Sequence, residues 1–185
     1  MNTINLIIVG VGGQGILLTS RILGALALKM GFDIKVSEVH GMSQRGGSVI
    51  THVRMGDQVH SPLVDLGEAD YVLSFEHLES LRAQGYLKKG GTLIENTQRI
   101  DPMPVIMGSA KYPETPVEAA NVISLDALSL AREAGDQRAV NIVLLGVLSR
   151  FVQVEETDFE DAIRACVPPK TLDINLKAFR AGRTA

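Results

Sequence analysis

Residues 5–11 form a short, continuous apolar run rich in Ile and Val, as expected of a parallel strand covered on both faces. Gly10, Gly12, Gly13 and Gly15 close that run. Ile16, Leu17, Leu18, Ile22, Leu23, Leu26 and Leu28 then recur at helical spacing until Gly31 ends the helix. Residues 33–39 read as a second strand. The turn-rich stretch 40–47 leads into 48–55, whose alternation predicts a third. Gly56-Asp57 reads as a hairpin turn from which residues 58–60 pair back. Further strands are expected at 69–75, 90–96 and 121–125, with helices at 76–86 and 126–134, the latter ending at Gly135.

Residues 97–116 hold four of the seven prolines and read as extended or loop structure. Three consecutive helices, 138–151, 158–166 and 171–181, follow. The charged run Glu155-Glu156-Thr157-Asp158 suits a helix start, with acids at the positive end of the dipole. The stripe Val140, Ile142, Val143, Leu144, Leu145, Val147 and Leu148 is apolar nearly all round; such a helix is either fully buried or meets another chain. Alternating strands and helices predict an α/β fold: a doubly wound, mostly parallel Rossmann-like sheet with a helical C-terminal third. On this reading residues 1–135 are the sheet core and 136–185 the C-terminal helices of a single domain.

Composition narrows the function classes. The 185 residues carry a net charge of −3 and no Trp, which argues against a nucleic-acid or anionic-membrane partner. No stretch approaches the roughly 20 apolar residues of a membrane span, and the N-terminal run lacks the basic flank of a signal peptide. A cytoplasmic location is expected. Cys166 is the only cysteine; one thiol can neither close an internal disulfide nor ligate a cluster that needs four thiolates. His40, His52, His60 and His77 lack metal-ligand spacing. Neither a nucleophile elbow nor a phosphate-binding Gly-Lys-Ser/Thr loop occurs.

Two motifs carry the chemistry. Gly10-Val11-Gly12-Gly13-Gln14-Gly15 lies between a strand and a helix, where glycines let the backbone approach an anion and the helix start offers free N–H groups. The same glycines could serve only to seat the helix on the sheet. A dinucleotide site would also want an acid about 20 residues on, and Glu38 falls there. His40-Gly41-Met42-Ser43-Gln44-Arg45-Gly46-Gly47-Ser48, which follows it, is unusual for a ribose-binding corner. Its glycines free the backbone while His40, Ser43, Gln44 and Arg45 add polar groups; such a loop can bind an anion or dock a partner.

Taken together, residues 10–15 and Glu38-Val39-His40-Gly41-Met42-Ser43-Gln44-Arg45-Gly46-Gly47-Ser48-Val49 resemble the gamma-type domain of pyruvate/2-oxoacid ferredoxin oxidoreductases. The form His-Gly-Met-Ser-Gln-Arg-Gly-Gly is similar to the beta subunit of indolepyruvate ferredoxin oxidoreductase. Ala131-Arg132-Glu133-Ala134-Gly135, Arg138-Ala139-Val140-Asn141 and Leu144-Leu145-Gly146 agree. The resemblance implies a small subunit of a complex that decarboxylates indolepyruvate or another arylpyruvate to an acyl-CoA and reduces ferredoxin. Thiamine diphosphate, Mg and 4Fe–4S clusters would sit on a larger partner subunit, with this chain binding none of them alone. Gly10, Gly12, Gly13, Gln14 and Gly15, with His40, Ser43, Gln44, Arg45, Gly46 and Gly47, would face that partner or hold coenzyme A phosphates. Arg45 would be the anionic contact and Gln14 a positioning group. A free-standing nicotinamide- or flavin-binding oxidoreductase and a purely structural subunit are the competing readings.

Overall fold

The structure, a computed structural model, describes residues 3–41 and 47–185. Its strands are β1 (Ile4–Val11), β2 (Asp33–His40), β3 (Ser48–Gly56), β4 (Ala69–Ser74), β5 (Leu87–Asn96) and β6 (Asn121–Leu125). Its helices are α1 (Ile16–Lys29), α2 (His77–Ala83), α3 (Met103–Ile106), α4 (Ala127–Ala134), α5 (Val140–Leu148), α6 (Glu156–Cys166) and α7 (Leu172–Thr184).

The strands form one six-stranded sheet in the order β2-β3-β1-β4-β5-β6. β1, β4, β5 and β6 run parallel. β3 lies antiparallel between β1 and β2. The α/β sheet is therefore mostly parallel, with an antiparallel edge. Side chains along the central strands alternate between two buried layers, which explains their unbroken apolar runs. Leu6 and Ile8 of β1, Leu73 of β4 and Ile94 of β5 point to the layer of α1, α4, α5, α6 and α7. Ile7, Val9, Val72 and Leu93 point to the opposite layer, with Val64 and Ala83 of α2.

All nine residues of α5 are buried, so the helix that is apolar all round is an internal one. α7 lies directly on it, and two glycines permit that approach. A Cβ on Gly146 would collide with the Phe179 carbonyl, and one on Gly182 with the Val143 carbonyl. α1 buries Ile16, Thr19, Ile22, Leu23 and Leu26, the face that its three- and four-residue spacing predicts. α6 covers it, with Lys29 of α1 paired to Asp158 at 2.8 Å and Asp161 at 2.6 Å.

The hairpin expected at Gly56-Asp57 does not form. β3 already has a strand on each side, so it has no free ladder for residues 58–60. The Val59 N–H instead donates to the Asp33 carboxylate at 3.0 Å, and Val59 and Val64 turn into the interior. Within residues 97–116, expected to be extended or loop, the short α3 begins at Met103-Pro104, where Pro suits a helix's first turn.

Candidate functional site

The carboxyl ends of β1, β4 and β5 lie side by side, and antiparallel β3 brings its own start, Ser48, beside Val11. The chain leaves β1 for α1 on one face of the sheet and leaves β4 for α2 on the other. The β1/β4 boundary is thus the switch point at which doubly wound sheets open a crevice.

Gln14 spans that boundary. Its Oε1 accepts from the Val11 N–H at 2.7 Å and its Nε2 donates to the Phe75 carbonyl at 2.9 Å. Both ends of this amide are committed inside the protein, so Gln14 shapes the turn. Gly10 must lack a side chain, because a Cβ there would stand 2.8 Å from Gln14 Oε1 and 3.0 Å from Phe75 Cβ. Gly13 and Gly15 have φ of +103° and +86°, a region that costs other residues strain. A Cβ on Gly15 would also lie 2.8 Å from Asn141 Nδ2, which donates to the Gly15 carbonyl at 3.2 Å. Gly13 faces open space.

The second motif meets the first through its end: the Gly12 N–H donates to the Gly47 carbonyl at 2.9 Å. Gly41 closes the same neck, its N–H donating to Ser48 O at 3.1 Å. Ser43, Gln44, Arg45 and Gly46 lie outside the described residues. His40 is exposed, with Nε2 2.8 Å from Glu38 Oε1. Thr51 Oγ1 donates to the other Glu38 oxygen at 3.0 Å. Glu38 is thus engaged on both oxygens, and its strand is separated from β1 by β3. The carboxylate that a nicotinamide dinucleotide's ribose would need does not reach the glycine turn.

A cleft of about 460 Å³ opens beside the turn, within the range of small-molecule sites. Gly13, Gln14 and Gly15 line it together with Arg132, Arg138 and Asn141. The first turn of α1 has no acidic residue and no side-chain cap, so neither offsets its N-terminal partial charge. Arg138 is held by Asp136, Nη2 to Oδ2 at 2.7 Å, and this pairing with the Arg138 N–H keeps the Asp136 carboxyl below the usual carboxylate range. The Arg132 side chain makes no hydrogen bond or ion pair among the described residues, while its carbonyl accepts from the Gly135 N–H. Residues 97–120 run as a strap from β5 to β6, and Gln98 and Ile100 of this strap complete the cleft.

The N-terminus of α2 holds the strap. Glu76 caps the helix through the Glu79 N–H and accepts from the Ile100 N–H at 3.0 Å. It also accepts from the Tyr112 hydroxyl, and burial, then this carboxylate, pushes the Tyr112 phenol up. Glu79 accepts from Ser48 Oγ at 2.5 Å and from Arg82 at 2.6 Å. Sequence reasoning missed Glu76, His77 and Tyr112. An ionisable pair, Glu76-His77, directly after an apolar strand was the available signal. Asn141 carried a similar one, as a polar residue inside an apolar helical run.

Among the described residues no group of three His, Cys, Asp or Glu side chains could hold a metal ion, and no helix is long and apolar enough to cross a membrane.

The family model for pyruvate ferredoxin/flavodoxin oxidoreductase matches residues 5–185. The chain is 45% identical to the indolepyruvate oxidoreductase subunit IorB of Thermococcus kodakarensis, over 98% of this chain and 95% of that one. It is 45% identical to the same subunit of Pyrococcus horikoshii, over 98% and 95%. Among solved structures, the gamma subunit of a keto/oxoacid ferredoxin oxidoreductase from Geobacter sulfurreducens superposes with a TM-score of 0.74 at 24% identity. That match covers 97% of this chain and 95% of the gamma subunit, and it establishes the shared fold.

Proposed function

The chain belongs to the pyruvate ferredoxin/flavodoxin oxidoreductase family, and on that premise we propose that it is the small subunit of a 2-oxoacid:ferredoxin oxidoreductase acting on indolepyruvate or related arylpyruvates. The observation that carries this reading is the 45% identity to an indolepyruvate oxidoreductase subunit across nearly the full length of both chains.

In such a complex, thiamine diphosphate with Mg supplies decarboxylation, 4Fe–4S clusters pass electrons to ferredoxin, and coenzyme A takes the acyl group. The single cysteine, Cys166, cannot supply the four thiolates of a cluster. We place the clusters on a larger partner subunit, with thiamine diphosphate there too as the family resemblance implies, in a cytoplasmic assembly. This chain's residues then shape access and assembly.

We assign the glycine turn and the residues His40, Ser43, Gln44, Arg45, Gly46 and Gly47 to contact with that partner near its active centre or to the phosphates of coenzyme A; Ser43, Gln44, Arg45 and Gly46 lie outside the described residues. The Gly12 to Gly47 hydrogen bond supports treating the two as one surface. The cleft suits an anionic group such as coenzyme A's phosphates: Gly13 leaves it open, the start of α1 lacks a side-chain cap, and Arg132 and Arg138 line the same cleft. Arg45 is the anion contact contributed by the loop, and Gln14 holds the turn in shape.

Anaerobic purification of the tagged chain from its native host tests the assembly. The expected result is a stoichiometric larger chain carrying iron and thiamine diphosphate. A chain that emerges folded, colourless and alone would contradict it.

A further inference from the structure

His77 stands where the strap crosses the end of the sheet, between two oxygen atoms. Its Nδ1 is 3.2 Å from Glu95 Oε2, and its Nε2 is 3.1 Å from the Thr115 carbonyl. A carbonyl oxygen only accepts, and so does a carboxylate. The other Glu95 oxygen accepts from Ser124 Oγ at 2.6 Å. A neutral imidazole carries one N–H and can satisfy one of these partners; an imidazolium satisfies both.

The side chain is largely enclosed, 22% exposed against 7% for Glu95. The charged and titratable groups nearest it are otherwise engaged. Glu76 accepts from Tyr112 and Ile100, and Glu79 binds Arg82. On the strap, Arg99 pairs with Asp101 at 2.6 Å and lies over the Tyr112 ring, which stacks near His77; Glu114 is exposed. Glu95 is the one carboxylate bonded to the ring.

We propose that protonated His77 is a latch that ties the strap to β5 at Thr115 and that loss of its second proton releases the end of the strap beyond Tyr112. The other anchors, Gln98, Ile100 and Tyr112, all precede Thr115 in the strap. Past His77 the strap is fastened by the Glu118 N–H, which donates to Gln84 Oε1 at 2.9 Å.

The test needs neither partner nor substrate. In the full ¹⁵N-labelled chain, ring-nitrogen shifts of His77 and amide exchange at Glu118 are followed between about pH 5 and 8, the range in which histidine changes charge. The expected result is a doubly protonated ring at the low end. Exchange at Glu118, corrected for its intrinsic pH dependence, should accelerate roughly tenfold as the ring is deprotonated, the factor that one charged hydrogen bond is worth. In His77→Gln that acceleration should vanish. A ring that is neutral throughout, a wild-type rate that stays flat, or an acceleration that survives in His77→Gln overturns the latch. Each of these results leaves the assignment as an oxidoreductase subunit untouched.

Discussion

Gln14 and Phe75 are joined across the switch point of the sheet: the side-chain amide of one donates to the backbone carbonyl of the other at 2.9 Å. The same amide accepts from the Val11 N–H, so one side chain fixes the glycine turn to both β1 and the end of β4. Gln14→Ala removes two hydrogen bonds at a part-buried site and should cost about 1–3 kcal/mol of stability. Gln14→Glu keeps the acceptor and turns a negative oxygen toward the Phe75 carbonyl, so it should not restore the loss. Chemical denaturation of the three proteins measures both effects.

The alternation of strands and helices was legible because period and composition act locally. Both faces of β1 are covered, so its run is unbroken, and α1 shows one buried stripe. The misread hairpin at Gly56-Asp57 has a topological cause. A local turn signal is silent on whether the strand's other edge is taken, and here β1 and β2 occupy both edges of β3. The glycine turn was legible as a motif, but its partners were not. Asn141 is 126 residues from Gly15 and Tyr112 is 36 from Glu76, and such distances have no trace in local pattern. Gln14, expected as a positioning group on a cofactor-binding or partner-facing turn, has both its amide atoms engaged within the chain.

Gly15 and Asn141 form a coupled pair. Gly15→Ala meets both a φ of +86° and a Cβ contact of 2.8 Å to Asn141; the backbone alone costs about 1–2 kcal/mol. Asn141→Ala loses the hydrogen bond to the Gly15 carbonyl, about 1 kcal/mol. In the double variant the clash is gone but the backbone strain remains. Its destabilisation should fall about 1 kcal/mol short of the sum, which a double-mutant cycle reads directly.

His52 is buried, and its Nδ1 accepts from the Val64 N–H at 3.2 Å. Burial lowers its affinity for a proton in the folded chain. As pH falls below about 6.5, the ordinary histidine value, the unfolded chain takes up that proton first. Stability present above that pH is therefore lost as pH falls toward the folded value. The melting temperature of the wild type should fall faster on acidification than that of His52→Gln, which keeps an acceptor for Val64. Parallel slopes would remove His52 as the cause.

Arg45→Ala tests the loop's assigned contact. Within the assembled complex it should raise the KM for coenzyme A by roughly tenfold, the worth of one hydrogen bond to a charged group, or weaken assembly by a similar factor. Unchanged kinetics together with an unchanged complex would sink that role for Arg45.

The most direct test of the subunit assignment is anaerobic reconstitution. This chain and its co-purifying larger partner are prepared separately, then assayed apart and mixed for coenzyme A-dependent reduction of ferredoxin with indolepyruvate. The account predicts reduction only when both chains are present, rising with added small subunit until the two are equimolar. Full activity of the larger chain alone, or none from the stoichiometric mixture with any 2-oxoacid, would contradict it.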